Sequence, residues 1–261
     1  MTVTTPSVSQ FGRFEPFELQ VARGQITGHQ SIVVFGYNPD VDTARVTVWP
    51  HTGIIPIPAA ALQMKVSSSS ANDTSGGTGA RTVFIGGLNA NHAVISEIVT
   101  LNGQTPVLTT QSFLHINNAY VVTAGTSLSA EGDIYFGDGV VTAGVPATVY
   151  DLIKFDYNSR ITGSYTIPAG YTGYVSQGLF SAGQPGGSAQ VSGRLLTIGT
   201  DGIRRTAAIT TVNNGAADYT FEYPLQVPEK TTLEASAQAS SNNNAASSMF
   251  ILVLIKNDGS L

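Results

Sequence analysis

Apolar and polar positions alternate through most of this chain. In Leu62–Val66 the apolar residues Leu62, Met64 and Val66 are separated by Gln63 and Lys65, the period of two that gives a strand one buried and one wet face. Short runs of the same kind, rich in Val, Ile, Thr, Tyr and Phe, recur at 30–35, 45–49, 81–85, 94–101, 120–123 and 133–136. A second series falls at 148–155, 161–166, 173–181, 190–198, 204–211, 218–223, 231–239 and 247–256. Gly, Pro, Asn or Asp closes each run within about twelve residues, the spacing of a sandwich or barrel. The unbroken apolar run Met249–Ile255 suits a strand covered on both faces. The expectation is an all-β protein with very little helix, built as two tandem antiparallel β-sandwich domains of jelly-roll type. Residues 108–118 read as a loop or as a short helix capped by Thr109.

The Gly-rich patch Gly137–Ala147 is the natural boundary, because a linker needs residues that tolerate many backbone conformations. The expected organisation is an extended N-terminal arm over 1–25, a first sandwich over 26–140 and a second over 141–261. Polar loops at 181–190 and 239–248 are expected to be partner-facing tips.

Residues 61–101 hold the densest local information. Two β-rich runs, Thr82–Ile85 and Val94–Val99, are joined by GGLNANHA and read as a hairpin. Before them lies a tract of Ser, Thr, Asn, Asp and Gly over 67–79 with no hydrophobic period. Flanked by two patterned strands, it is expected to be an ordered polar loop that contacts a neighbouring subunit through Ser67, Ser68, Asn72 and Asp73.

Composition narrows the chemistry. Charged residues are only 11% of the chain and the net charge is −5, with twelve Lys and Arg scattered along it. Such a chain lacks the cationic footprint of a nucleic-acid binder. With no Cys there is no disulfide framework, thiolate metal site or thiol nucleophile. MTVTTPSVSQ has no basic or apolar leader region, and no run reaches the length of a membrane helix, so a soluble, unprocessed chain with no membrane partner is expected. No GxSxG elbow, P-loop, HExxH or strand-borne GxGxxG is present. The four histidines, His29, His51, His92 and His115, lack ligand-like spacing. Asn38, Asp40 and Asp42 alternate like the first oxygens of a calcium loop, but Thr43 and Trp49 stand where its Gly and Glu belong, so an Asx-type turn is preferred. Glu131, Asp133 and Asp138 form a second acidic group. No catalytic residue, metal or cofactor is expected.

Phe11, Phe14 and Phe17 recur every third residue, which places them on one side of an extended segment. Leaving three such rings in water is unfavourable by roughly 1.5–3 kcal/mol each. They are expected to dock on this chain's own core or on a neighbouring subunit.

The succession FGYNPDVDTA, TVW, VSSSSANDTSGGTGARTV, GLNAN, SEIVTLNG, YTIPAG and PEKTTLEA resembles virion structural proteins of tailed phages, especially those of marine bacteria and cyanobacteria. The resemblance covers most of the chain and is densest over Val66–Gly103. It departs at Thr232–Ala239, nearly neutral where the family carries more charge. It implies a non-enzymatic component of a bacteriophage particle, made in the host cytoplasm and residing in the virion, with no bound cofactor. A homo-oligomer, a trimer, is expected, with itself and the major capsid or tail proteins as partners, in a capsid decoration, vertex or tail-associated position. The alternative is a receptor-binding module whose Tyr171, Tyr174, Tyr219 and Tyr223 hold host surface glycan.

Overall fold

A computed structural model describes residues 15–183 and 189–257. In chain order the strands begin with β1 (His29–Val41) and β2 (Val46–Thr47). There follow β3 (Leu62–Ser68), β4 (Ala80–Leu88), β5 (Val94–Thr100), β6 (Val107–Phe113), β7 (His115–Ala124), β8 (Ile134–Thr142) and β9 (Val145–Ile153). The last group is β10 (Ser164–Thr166), β11 (Tyr171–Gly183), β12 (Gln190–Ile198), β13 (Arg204–Asn213), β14 (Gly215–Val227), β15 (Thr232–Ala239) and β16 (Asn244–Lys256). A short helix, α1 (Phe17–Ala22), precedes them.

The all-β expectation holds, but the strands are shared out differently from a tandem pair. One sheet, in the order β1-β16-β11-β14, faces a second, β10-β15-β12-β13, to which β2 adds through β15. Between them lie Val34, Val175, Phe250, Leu252 and Leu254 from one side and Tyr165 and Leu233 from the other. The middle strands form a separate pair of sheets, β6-β3-β8-β9 and β5-β4-β7, packed around Met64, Val83, Ile85, Phe113, Phe136 and Ile153. The unit formed by β3 to β9 is thus inserted into an outer unit made from both flanking parts of the chain. Alternation of apolar and polar residues sets which face of a strand is buried, but not its partner.

The boundary expected near residue 140 lies inside a hairpin. β8 and β9 are antiparallel neighbours, with Thr142 opposite Val145, and Ala143 and Gly144 turn between them at φ 48° and 81°. Two consecutive left-handed residues make the tight turn that matches strand twist. Gly144 is also required by space, since a Cβ there would meet the Ser68 carbonyl oxygen at 1.8 Å. Glycine here served a turn and a close approach, not a linker.

Residues 107–113, part of the segment left between loop and helix, are strand β6. Its pairing with β3 is interrupted between Leu108 and Ser112, and the Glu97 carboxylate accepts bonds from the backbone of Thr110 and Gln111 in the bulge. The expected arm is helical over 17–22. Pro16 at the cap has no N–H to leave unpaired, Glu18 lies in the positive first turn, and Gln20 and Val21 are buried.

The two units meet at a buried ion pair. Arg160, in the crossing from β9 to β10, bonds Asp151 of β9, with side chains 5% and 1% exposed. Its Nη1 donates to the carbonyls of Thr162 and Ser164 at 3.0 and 2.9 Å, and its Nη2 to the Ser164 hydroxyl at 2.8 Å. Asp151 also accepts from the Thr162 hydroxyl at 2.6 Å. Beside them the Asn117 amide of β7 pairs with both backbone groups of Thr166 in β10. Trp49 and Ile55 from the outer chain pack with Tyr135, Val149 and Leu152 of the insert. Replacing Arg160 with Ala leaves the Asp151 charge buried and unpaired, so Arg160→Ala is expected to lower unfolding free energy by about 3–5 kcal/mol in urea denaturation.

Candidate functional site

The Ser-rich tract is ordered, and it turns inward. Ser67 and Ser68 end β3 and, with Asp73, are wholly buried within this chain. Asp73 accepts hydrogen bonds from the Ser68 hydroxyl and the Ala80, Glu131 and Gly132 amides at 2.5–2.9 Å. Ser67 donates to the Gly144 carbonyl at 2.9 Å. The carboxylate gathers backbone amides of two segments, Ala80 and the pair Glu131 and Gly132, that would otherwise be unsatisfied. These three side chains therefore serve the fold, and the expected contact with a neighbour does not pass through them. Asn72 is exposed and donates to Glu131 at 2.6 Å. Bonds from Thr78, Asn72 and Ser127 hold the Glu131 carboxyl below its usual range.

Of the three phenylalanines, Phe11 and Phe14 lie outside the described residues. Phe17 is 52% exposed and sets its ring edge against His29 with centroids 5.8 Å apart.

The candidate ligand groups are spread and engaged. Asn38 is buried, donating to the Thr47 carbonyl and accepting from the Asp40 amide, and Asp42 accepts from the Asn243 amide. This is the Asx-type turn. Asp133 is bonded by Lys154 and the Phe155 amide, and Asp138 lies 3.5 Å from Lys65. Glu234, wholly buried, bonds Arg204 and the Thr47 hydroxyl, and burial raises its carboxyl above the usual range despite Arg204. Among the described residues no three His, Asp or Glu side chains converge as metal ligands.

Two of the four histidines do come together, as sequence spacing did not show. His92, at φ 58° in the β4–β5 turn, stacks on His115 of β7 with ring centroids 5.3 Å apart. The His92 carbonyl accepts from the Ala169 amide of the outer unit, and Lys230 and Glu229 act on its ring. Burial, then the neighbouring His92, pushes His115 down to about 4. His115 is therefore neutral at pH 7 where the units join, and burial, then Lys230, lowers His92 as well.

Accessible apolar residues group on β13 and β14. These are the terminal strands of the two outer sheets, each hydrogen-bonded to one neighbour only. Ile209 is 62% exposed on β13, and Tyr219 and Tyr223 are 61% and 84% exposed on β14. Between them opens a cavity of about 310 Å³ lined by Phe180, Leu195, Ile209, Tyr219 and Phe250. Pairing of β14 with β11 breaks after Thr220, so Gly215–Thr220 is its regular stretch. Tyr171 and Tyr174 belong to β11, the neighbour of β14, and are half-buried, whereas Tyr219 and Tyr223 are exposed. No sequence signal marked this side, because edge position is set by pairing.

No family model matches the chain, and no curated protein matches it. Among solved structures it is similar to "Structure of infectious bursal disease virus Gt strain", at 12% identity over 94% of this chain and 78% of that one, with a TM-score of 0.25. It is also similar to the infectious bursal disease virus VP2 subviral particle, at 13% identity over 89% and 69% with a TM-score of 0.24. For PBSX exported protein XepA the values are 11%, 85%, 84% and 0.19. Similarity at this level leaves function to the residues themselves.

Two substitutions test the roles assigned above. Asp73→Ala removes the acceptor of several buried donors and is expected to cost at least about 3 kcal/mol by urea unfolding. For His115 the folded pKa lies below the unfolded value, so stability is unaffected above pH 6.5 and falls as pH drops from 6.5 towards 4. The expected slope is up to about 1.4 kcal/mol per pH unit, flattened in His115→Leu.

Proposed function

We propose that this chain is a non-enzymatic structural subunit of a bacteriophage virion, assembling with further copies of itself at the periphery of the particle against major capsid or tail proteins. The observation that carries the reading is the open side of the outer unit. Two long edge strands with free backbone groups, carrying Ile209, Tyr219 and Tyr223, are a liability unless covered. Because β13 and β14 are different strands, the fitting contact is heterologous, β13 of one copy beside β14 of the next. Heterologous contacts close into rings, of which three subunits make the smallest, so a trimer is the expected assembly. The low charge supports packing of many copies without repulsion. The engagement of Asp73, Asp151, Glu131 and Glu234 in the fold supports a role without catalysis. The resemblance of Val66–Gly103 to phage virion proteins points the same way.

Light scattering on the full chain is expected to give a trimer at micromolar concentration. Ile209→Lys with Tyr219→Lys is expected to shift it towards monomer by at least about tenfold in dissociation constant, with the unfolding midpoint kept. A wild-type monomer, together with absence of the chain from purified particles, overturns the reading.

A further inference from the structure

The outward face of the β5-β4-β7 sheet has a register that lays out two unlike rows. Phe84 stands opposite Ile98 on one side and Tyr120 on the other. Two residues along, Gly86 stands opposite Ser96 and Asn118. An apolar row and a hydroxyl-and-amide row therefore run side by side, about 7 Å apart from strand rise alone. Gly86 shapes the surface between them. Its missing side chain lets the Phe84 ring lean over it, with an edge carbon 2.8 Å from where a Cβ would stand. In that pose Phe84 stacks on Tyr120 with centroids 4.8 Å apart and planes 20° apart.

This face forms one wall of a cleft of about 440 Å³, and β1 forms the other, with Ser31 and Phe35 among its lining residues. Phe35 is 56% exposed. The size is that of a small-ligand site. Arg160 is the charged residue of the lining, and its guanidinium is committed to Asp151, Thr162 and Ser164. Ser96 and Asn118 are exposed, and among the described residues they have no side-chain partner. The cleft thus offers aromatic surface, free hydroxyl and amide groups beside it, and no uncompensated charge.

We propose that this cleft binds a neutral pyranose of an oligosaccharide, one sugar face lying on the Phe84 ring, which Tyr120 backs from outside the cleft, and its hydroxyls bonding Asn118 and Ser96. A sugar ring has an apolar C–H face and a polar rim, and the two rows match that division. An anionic sugar finds no free cation here, and a peptide strand gains nothing from the notch at Gly86. The site lies between the inserted unit and β1 of the outer unit and shares no lining residue with the assembly side at β13 and β14.

The test screens the full chain against an array of neutral hexose and N-acetylhexosamine oligosaccharides, then titrates the strongest binder calorimetrically. Phe84→Leu, which keeps volume and removes the ring face, is expected to weaken binding at least about tenfold. Asn118→Ala, at an exposed position, is expected to weaken it several-fold, and Tyr223→Ala on the opposite unit to leave it unchanged. Light scattering of Phe84→Leu and Asn118→Ala is expected to match the wild type. Binding to no array member, or binding held within twofold in both variants, overturns the proposal. So does a change of oligomeric mass in Asn118→Ala, which would make the cleft a contact between copies. None of these outcomes bears on β13 and β14, so the glycan site and the assembly reading fail separately.

Discussion

The buried pair of Arg160 and Asp151 is the constraint on which the rest of this molecule depends. An inserted unit is joined to its host by two chain crossings and would otherwise hinge about them. Here the crossing from β9 to β10 carries a guanidinium into a site where both charges are almost fully shielded from water. A charge in such a place must be matched by fixed partners, and the planar fork of Arg fixes where they stand. Its partners belong to β9, to the crossing and to β10, so the angle between the units is set by bond geometry. The Asn117–Thr166 amide pair and the Trp49 cluster add contacts that are directional and apolar respectively. The assembly side lies on the outer unit and the cleft between the insert and β1, so this junction fixes the shape of the cleft.

Low charge shapes the remaining surfaces. With few ions available, the chain satisfies its loops with buried hydroxyls and carboxylates, as Ser67, Ser68 and Asp73 do. The same economy leaves the outer faces to amides, hydroxyls and isolated aromatics. Edge strands that other proteins guard with lysines are here guarded sparingly, with Asp218, Glu222 and Pro224 on β14. A surface of this kind tolerates close neighbours of its own sort and offers neutral polar ligands a foothold beside aromatic rings.

Much of the strand content was legible because alternation is local and every run ended in a turn residue; β3, β4 and β5 fall where Leu62–Val66 and the GGLNANHA hairpin placed them. Partnership was not legible. That β1 pairs with β16 depends on contacts between the two ends of the chain, and no local pattern carries that information. Gly144 misled because composition that suits a linker also suits tight backbone approach, and the Ser-rich tract, expected as an ordered loop facing a neighbour, instead makes buried hydrogen bonds within the chain. β6 was missed because its bulge at Thr109–Gln111 interrupts the alternation. Phe84 and Ser96 of the platform lay within a recognised hairpin, but Asn118 is on its third strand, β7, which had to be placed before the rows existed.

A three-dimensional reconstruction of the intact particle tests the central claim most directly. The account predicts density for this chain in threefold clusters at the particle periphery, with β13 of one copy against β14 of the next and the two units in the relative orientation fixed by Arg160. Density in which β13 and β14 face solvent, or a particle without this chain, would contradict it.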